Sequence, residues 1–345
     1  MVVLIDRCFR MKKKEIVLSV QLLLCATLFV SSCESDSDEW DVQRESTIAA
    51  FRAKTDSIVD KETFLYFTDP HLLSYGNQFS EAIKYNFESS FSPVGELFNI
   101  LPLNFCLCGG DWLNAGDTQE VAAEKLLYAD SQMKQLFSGK YYKMFGNHDT
   151  NYQGLVSETD STRGDFSRDF IDKTYFSETG SAYYTFDGRN TSFFILDSWL
   201  DWTLQMDDYR WEQLDWLSNQ LKNNRCQHKV IGIHMYYNEG QTVPMSEVLM
   251  DICDAFNLRQ TISVNGREYD FSESVGKVHL IISGHNHVDG LNYVGRDGEI
   301  PVVRTCAFMK DNTPNFDLCV LDYDTGYLHM IRVGTGENRK VKLAM

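Results

Sequence analysis

The chain is short of positive charge: 32 lysines and arginines face 49 aspartates and glutamates, a formal net charge of −17. So acidic a surface repels polyanions, which excludes broad nucleic-acid binding but leaves room for a small phosphate at a local cationic site. No pair of its nine cysteines has zinc-finger spacing, so that kind of structural zinc is excluded. There is no internal repeat and no low-complexity tract, and 43% hydrophobic with 23% charged residues excludes a disordered or collagen-like chain. The longest apolar run, Ile16 to Val30, is too short for a comfortable membrane span.

That run is part of an address. Lys12, Lys13 and Lys14 form a basic region ahead of it, and it ends Val30-Ser31-Ser32-Cys33. The layout is that of a secretory signal. It also resembles the bacterial lipoprotein box, which implies that residues 1–33 are removed up to Cys33, the lipidated first residue of the mature chain. An ordinary cleaved signal is the plainer alternative. The acidic stretch Glu34 to Glu39 suits a flexible tether, and residues 34–60 are expected to be a linker followed by a short polar helix. Losing residues 1–33 removes five basic and two acidic residues, so the mature charge is 27 − 47 = −20. The expected location is the bacterial cell envelope, with a lipid anchor in a membrane, on the periplasmic or surface face of the outer membrane. Cys106, Cys108, Cys226, Cys253, Cys306 and Cys319 remain. The first two lie in an apolar run and read as small buried hydrophobes, while a disulfide elsewhere stays open.

From Phe64 onward strand-like and helix-like segments alternate. Periodicity predicts helices over Ser80–Leu101, Thr118–Phe137, Asp208–Asn223 and Pro244–Phe256, the last with proline at its first turn. Asp187-Gly188 between two β-rich runs predicts a hairpin, and strands are expected at Leu291–Val294, Pro301–Phe308, Asp317–Leu321 and Tyr327–Val333. Mixed βαβ units with added hairpins imply an α/β (α+β) fold, a four-layer αββα sandwich of two mixed β-sheets flanked by helices, over a domain at residues 61–345. Residues 150–180 lack a strong pattern and directly follow a polar motif, so they are the expected cap over the substrate.

Five polar motifs each follow a strand-like run: Asp69-Pro70-His71, Gly110-Asp111, Gly146-Asn147-His148-Asp149, His234, and Gly284-His285-Asn286-His287. Ligands of open α/β sheets bind beyond the carboxyl ends of the strands, so these endings can converge. In extended backbone, residues i and i+2 point the same way about 6–7 Å apart, which lets Asp69/His71 and His285/His287 each aim at one cavity.

In that order the five motifs resemble the calcineurin-like metallophosphoesterase superfamily, over about residues 64 to 334. The resemblance implies a metallophosphatase-like fold and a metal-dependent phosphoric ester hydrolase with two divalent metal ions. One would be held by Asp69, His71, Asp111 and His287, the other by Asp111, Asn147, His234 and His285, with Asp111 bridging. It implies that a bridging water, acidified to hydroxide between metals roughly 4 Å apart, attacks phosphorus in line. His148 would be the general acid, a role worth about 10²–10⁴-fold. Nitrogen and oxygen donors without thiolate suit Mn, Fe or Zn. Purple acid phosphatases have a tyrosine where this chain has Asn114. The arginines of Ser/Thr protein phosphatases are missing at Asn114-Ala115-Gly116 and at Phe145. The chain is therefore more similar to the bacterial phosphodiesterase and phosphohydrolase branch, and a small phosphomonoester or phosphodiester is the expected substrate. Asn114, Asp149 and Tyr236 are expected beside the ligands or against substrate, with turn-capping the alternative for Asn114 and packing the alternative for Tyr236 and for Trp112. His228, His279 and His329 read as ordinary histidines. A non-catalytic metal-binding scaffold and an exported nuclease are the competing functions.

Overall fold

The computed structural model describes residues 40–72, 78–151, 166–198, 206–238, 240–310 and 313–345. The signal segment, Cys33 and the acidic stretch after it lie outside the described residues. Two compact units are distinguished, residues 1–50 and 51–345. Of the first, residues 40–50 are described and are helical; helix α1 runs over 40–55.

The second unit opens as a run of βαβ units: β1 Lys61–Phe67, α2 Glu81–Ile100, β2 Phe105–Cys108, α3 Gln119–Leu136 and β3 Tyr141–Lys143. A short helix α4, Arg168–Phe170, passes into a π-helical turn at Ile171–Tyr175 and then the hairpin β4 Tyr184–Asp187 and β5 Thr191–Leu196. Next come α5 Asp208–Asn223, β6 His228–Ile233, β7 Tyr237–Asn238, β8 Gln241–Thr242 and α6 Pro244–Leu258. The hairpin β9 Thr261–Val264 and β10 Arg267–Asp270 leads to β11 Lys277–Ser283, β12 Gly290–Val294 and β13 Ile300–Arg304. The chain closes with β14 Met309–Lys310, β15 Thr313–Pro314, β16 Phe316–Asp322, β17 Tyr327–Val333 and β18 Arg339–Lys342.

Two six-stranded mixed sheets result, ordered β18-β17-β16-β1-β2-β3 and β12-β13-β11-β6-β5-β4. In the first, β1, β2 and β3 are parallel neighbours. In the second, β5, β6, β11 and β13 run parallel. These strands are mostly buried and largely apolar, with polar residues such as His228, Lys229, Lys277 and Arg304 towards their ends, because both faces are covered. Phe64 on β1 meets Phe193 on β5 at 5.7 Å between ring centroids, and Tyr142 on β3 stacks on Phe186 of β4 at 3.5 Å, so the inner faces pack on each other. The outer face of the second sheet, with Phe194, Ile231, Ile281 and Val302, shares one core with Trp211, Leu214, Leu217 and Leu221 of α5 and Leu249, Ile252 and Phe256 of α6. The outer face of the first sheet is covered by α2, where Phe91 packs on Phe67 at 5.1 Å. Each such buried ring contributes roughly 1.5–3 kcal/mol. The fold is therefore the expected layered sandwich.

The four expected helices are present to within two residues at each end. Their starts follow local chemistry: Thr118 caps α3 by accepting from the Val121 N–H, and Asp207 caps α5 by accepting from the Arg210 N–H. The strand expected over Pro301–Phe308 stops at Arg304, because the chain leaves the sheet there and stacks the Phe308 ring on Phe91, 4.4 Å away. The six cysteines beyond the signal are free thiols, with Cys106 and Cys108 buried. Among the described residues no helix is long and apolar enough to cross a membrane.

Candidate metal centre

Every motif lies just past the carboxyl end of a strand: Asp69 and His71 after β1, Asp111 after β2, Asn147 and His148 after β3, His234 after β6, His285 and His287 after β11. The first three strands are adjacent in one sheet and the last two in the other, so the five ends line two facing crests. The chain must turn sharply there. Asp69 (φ 51°), His71 (44°), Asp111 (62°), His285 (70°) and His287 (56°) all sit in the left-handed region. Non-glycine residues pay about 1–2 kcal/mol each for that conformation, and such strain gathers at functional sites.

The glycines of the motifs serve close approach. A Cβ on Gly110 would come within 2.7 Å of the Gly146 backbone nitrogen, and one on Gly284 would run into Thr68 and Asp69. The loops are thereby laced together: Asp69 N–H donates to Gly110 O (3.0 Å), His71 N–H to Asp111 O (3.1 Å), and Gly284 N–H to His234 O (3.0 Å).

The side chains converge in two sets. Asp69, His71, Asp111 and His287 form one, and Asp111, His234 and His285 the other, each with its donor atoms within 4.8 Å of one another. Asn147 joins the second, its Oδ1 lying 3.1 Å from His234 Nε2 and 2.8 Å from His285 Nδ1. His71 Nε2 is 3.1 Å from His287 Nε2 and 3.8 Å from Asp111 Oδ2, while His234 Nε2 is 3.1 Å from the same Asp111 oxygen.

Each carboxylate is half satisfied. Asp69 Oδ2 accepts from Thr68 Oγ1 (2.7 Å) and from the His285 N–H (2.9 Å), and Asp111 Oδ1 accepts from the His148 N–H (2.8 Å). Their other oxygens, Asp69 Oδ1 and Asp111 Oδ2, are buried and accept no hydrogen bond. Such an anion out of water is costly unless a counter-charge faces it. His71 and His234 use Nδ1 on the carbonyls of Leu113 (2.8 Å) and Gly109 (2.6 Å), which fixes the ring and leaves Nε2 for the cavity. Backbone-anchored imidazoles, an amide oxygen and two unsatisfied carboxylate oxygens make a donor set that fits divalent cations.

The charges of the cation-free protein agree. Burial opposes charge on His234, but the adjacent Asp111 and Asp69 outweigh it and lift the ring to about 10. Burial pushes Asp111 up, yet His234, His71 and His148 overcome that and hold it far below the usual carboxylate range. His285 is driven down to about 4 by burial and by the charge on His234.

The remaining residues anticipated from the sequence fall in different places. His148 is partly buried, its Nδ1 without a hydrogen-bond partner and its ring 4.9 Å from that of His71. Asp149 is fully buried. Its oxygens accept from the backbone N–H groups of Asp111 (2.9 Å), Trp112 (2.7 Å), Leu113 (3.2 Å) and Gly146 (3.1 Å), tying the β2 and β3 loops together. Asn114 is exposed and donates to the His71 carbonyl (3.1 Å), a contact that joins the β2 loop to the β1 loop rather than capping its own turn. Tyr236 does not face the cavity: it is fully buried in the core between the second sheet and α5/α6, its ring 4.8 Å from Tyr237. The chain after His234 is turned back by the Tyr236 N–H bonding to Ser283 Oγ (3.2 Å), which carries the ring inward. Trp112 packs on Phe67, Phe87 and Phe91 at 5.5–5.6 Å. Of the expected cap, residues 152–165 lie outside the described residues. The rest, from Phe166, buries Phe166, Ile171, Tyr175 and Phe176. Asn238 is not anticipated by the sequence reading: its Oδ1 lies 3.4 Å from His285 Nε2, and nothing but its place four residues after His234 marks it. His228 and His279 bond each other (3.0 Å) from the amino-terminal halves of β6 and β11, far along the strands from the crests.

This fold and this donor set define a metal-dependent hydrolase of phosphoric esters. The chain belongs to the calcineurin-like phosphoesterase family, whose model matches residues 62–289. No curated protein matches it. Among solved structures it is similar to a dimetal phosphatase from Danio rerio, at 13% identity and a TM-score of 0.54, covering 81% of this chain and 98% of that one. It is also similar to a 5'-nucleotidase precursor from Thermus thermophilus, at 13% identity and a TM-score of 0.43, covering 82% and 55% of the two chains. At 13% identity the likeness to the dimetal phosphatase is one of fold.

Proposed function

We propose that this protein is an exported, lipid-anchored phosphoesterase that hydrolyses a small phosphomonoester or phosphodiester with two divalent cations, Mn, Fe or Zn. The observation that carries the reading is the pair of donor sets that share Asp111, each with a buried carboxylate oxygen that no hydrogen bond satisfies. Asp69, His71, Asp111 and His287 would hold one cation; Asp111, Asn147, His234 and His285 the other. Such cations, when bound, lower the pKa of water and offset the charge of the phosphoryl oxygens. Two divalent ions against Asp69 and Asp111 leave a net positive site within an acidic protein, which draws a phosphate in.

The protein's own groups do the rest. Histidines fixed through their far nitrogens need no reorganisation when substrate arrives. His148, whose ring lies 4.9 Å from that of His71, would hand a proton to the departing ester oxygen. The basic, apolar and cysteine-ended layout of residues 12–33 supports export and lipid anchoring.

The test is turnover of p-nitrophenyl phosphate and bis(p-nitrophenyl) phosphate by the Mn-loaded protein. His148→Ala should lose about 10²–10⁴-fold in kcat with metal content kept, and Asp111→Ala should lose both activity and metal. A wild-type protein that retains two ions yet cleaves no phosphoester would leave the scaffold reading standing instead. Palmitate labelling that depends on Cys33 checks the anchor.

A further inference from the structure

We propose that Arg304 is the docking point for a second anionic group on the substrate, an inference that rests on the phosphoesterase reading above. Arg304 ends β13, where it pairs with Ser283, the last residue of β11. It therefore stands on the same crest as His285 and His287. Its Nη1 lies 3.4 Å from the side-chain oxygen of Asn286, the residue between those two histidines, and Nη2 is 2.9 Å from Asn292 Oδ1. The guanidinium sits 5.2 Å over the Tyr237 ring, and the next residue, Asn238, reaches His285 Nε2. Gly290, opposite in β12, leaves the space: a Cβ there would run into the guanidinium.

Among the described arginines that are not fully exposed, the company Arg304 keeps is unusual. Arg332 and Arg339 share Asp317 and Asp289, Arg168 pairs with Asp172 and Asp197, Arg210 with Asp207, and Arg267 with Asp215. Arg259, which pairs with no carboxylate, spends its donors on the carbonyls of Phe256 and Gly276. Arg304 meets two neutral amide oxygens, one of them at the outer limit of a hydrogen bond, and its Nε is buried with no partner. Among the described residues no carboxylate lies in ion-pair reach of it, in a protein with 17 more acidic than basic residues. A guanidinium carries five N–H donors in a planar fork that matches a phosphate or carboxylate. Its neighbours leave that fork under-used, on an aromatic platform that fixes its plane.

The substrate class that follows is a phosphate ester with a second phosphate or carboxylate a few bonds from the scissile group. Arg304 would bind that group without touching the reacting atoms, so its contribution should appear in binding and KM.

The experiment uses the full metal-loaded chain as wild type, Arg304→Gln and Arg304→Lys. Calorimetry compares propane-1,3-diyl bisphosphonate with propylphosphonate, and phosphate release compares the two corresponding phosphate esters. Arg304→Gln should weaken the bisphosphonate by about 10- to 100-fold, the range of a charge-assisted contact, and propylphosphonate by less than about threefold. Arg304→Lys, which keeps the charge but not the fork, should recover part of the loss. Equal losses on both phosphonates would mean a structural role and overturn the assignment, as would no loss on either. If wild type binds the phosphonates but releases no phosphate from either ester, the phosphoesterase reading fails, while the phosphonate affinities still decide for or against Arg304.

Discussion

Replacing Asp149 with asparagine is the most exacting test of how the centre is held. The carboxylate accepts four backbone N–H groups, two on each oxygen: Asp111 and Gly146 on Oδ2, Trp112 and Leu113 on Oδ1. An asparagine of the same shape keeps one oxygen and presents an NH₂ to the other pair, so two buried donors lose their acceptor and face a donor. Each charge-assisted bond is worth about 1.5–3 kcal/mol, so the loss is about 3–6 kcal/mol, a large part of the roughly 5–15 kcal/mol of a typical domain. The released N–H groups belong to the loops that carry Asp111 and Asn147, so cation affinity should fall with stability. Urea denaturation of the chelated protein gives the first quantity and Mn titration calorimetry the second. Burial and the neighbouring Asp111 push the Asp149 carboxyl up in the cation-free state, so the stability measurement belongs at pH 8 or above. A loss under about 1 kcal/mol with native cation affinity would refute the reasoning.

His234 makes cation uptake pH-dependent. Its pKa is raised to about 10 in the cation-free protein, so the stability that its proton confers is complete below the ordinary value of about 6.5 and lost as pH rises through 10. A cation must expel that proton, so titrations near pH 8 in buffers of different ionisation heat should report about one proton released; none released would contradict the assignment. Asp289→Ala removes the acceptor of Arg332, Arg339 and the Cys306 N–H two residues after His287. Its carboxylate is one-third exposed, so the expected cost is about 1–3 kcal/mol rather than the ~3–5 of a fully buried pair, with weaker cation binding; unchanged binding would separate that network from the site. Tyr236→Phe deletes a buried hydroxyl that has no hydrogen-bond partner, so stability should hold within about 1 kcal/mol or rise, and turnover should not change. A large drop in turnover would place Tyr236 against the substrate after all.

The centre is legible in the sequence because its chemistry is written in short range. The paired residues Asp69/His71 and His285/His287 stand out in the sequence, although left-handed turns past the strand ends, not the extended backbone that the spacing suggests, bring them together; glycine before Asp111, Asn147 and His285 marks where backbones must touch. Residues that act from further away are less legible. Tyr236 lies next to a ligand in sequence, yet one hydrogen bond to Ser283 turns its ring into the core. Asp149 stands out as part of a motif, but three of the four N–H groups it accepts belong to a loop 36 to 38 residues earlier. The hairpin β9–β10 escapes the sequence reading despite Asn265-Gly266, both with positive φ, because its strands are half exposed and polar. Arg304 carries no motif at all. Its position becomes meaningful only when β13 is placed beside β11.

The Asp69 carboxylate takes a hydrogen bond from the His285 amide across the gap between the sheets, and Thr68 fits against Gly284 there with no room for a methyl group. The two halves of the sandwich are therefore buttoned at their catalytic end by the same residue, Asp69, whose other oxygen would grip a cation. Filling the cavity should then fasten the layers, raising the melting temperature with cation concentration as mass action requires. Chelation should loosen that end first, with amide exchange quickening around residues 68–71 and 284–287 before the opposite ends of the strands respond.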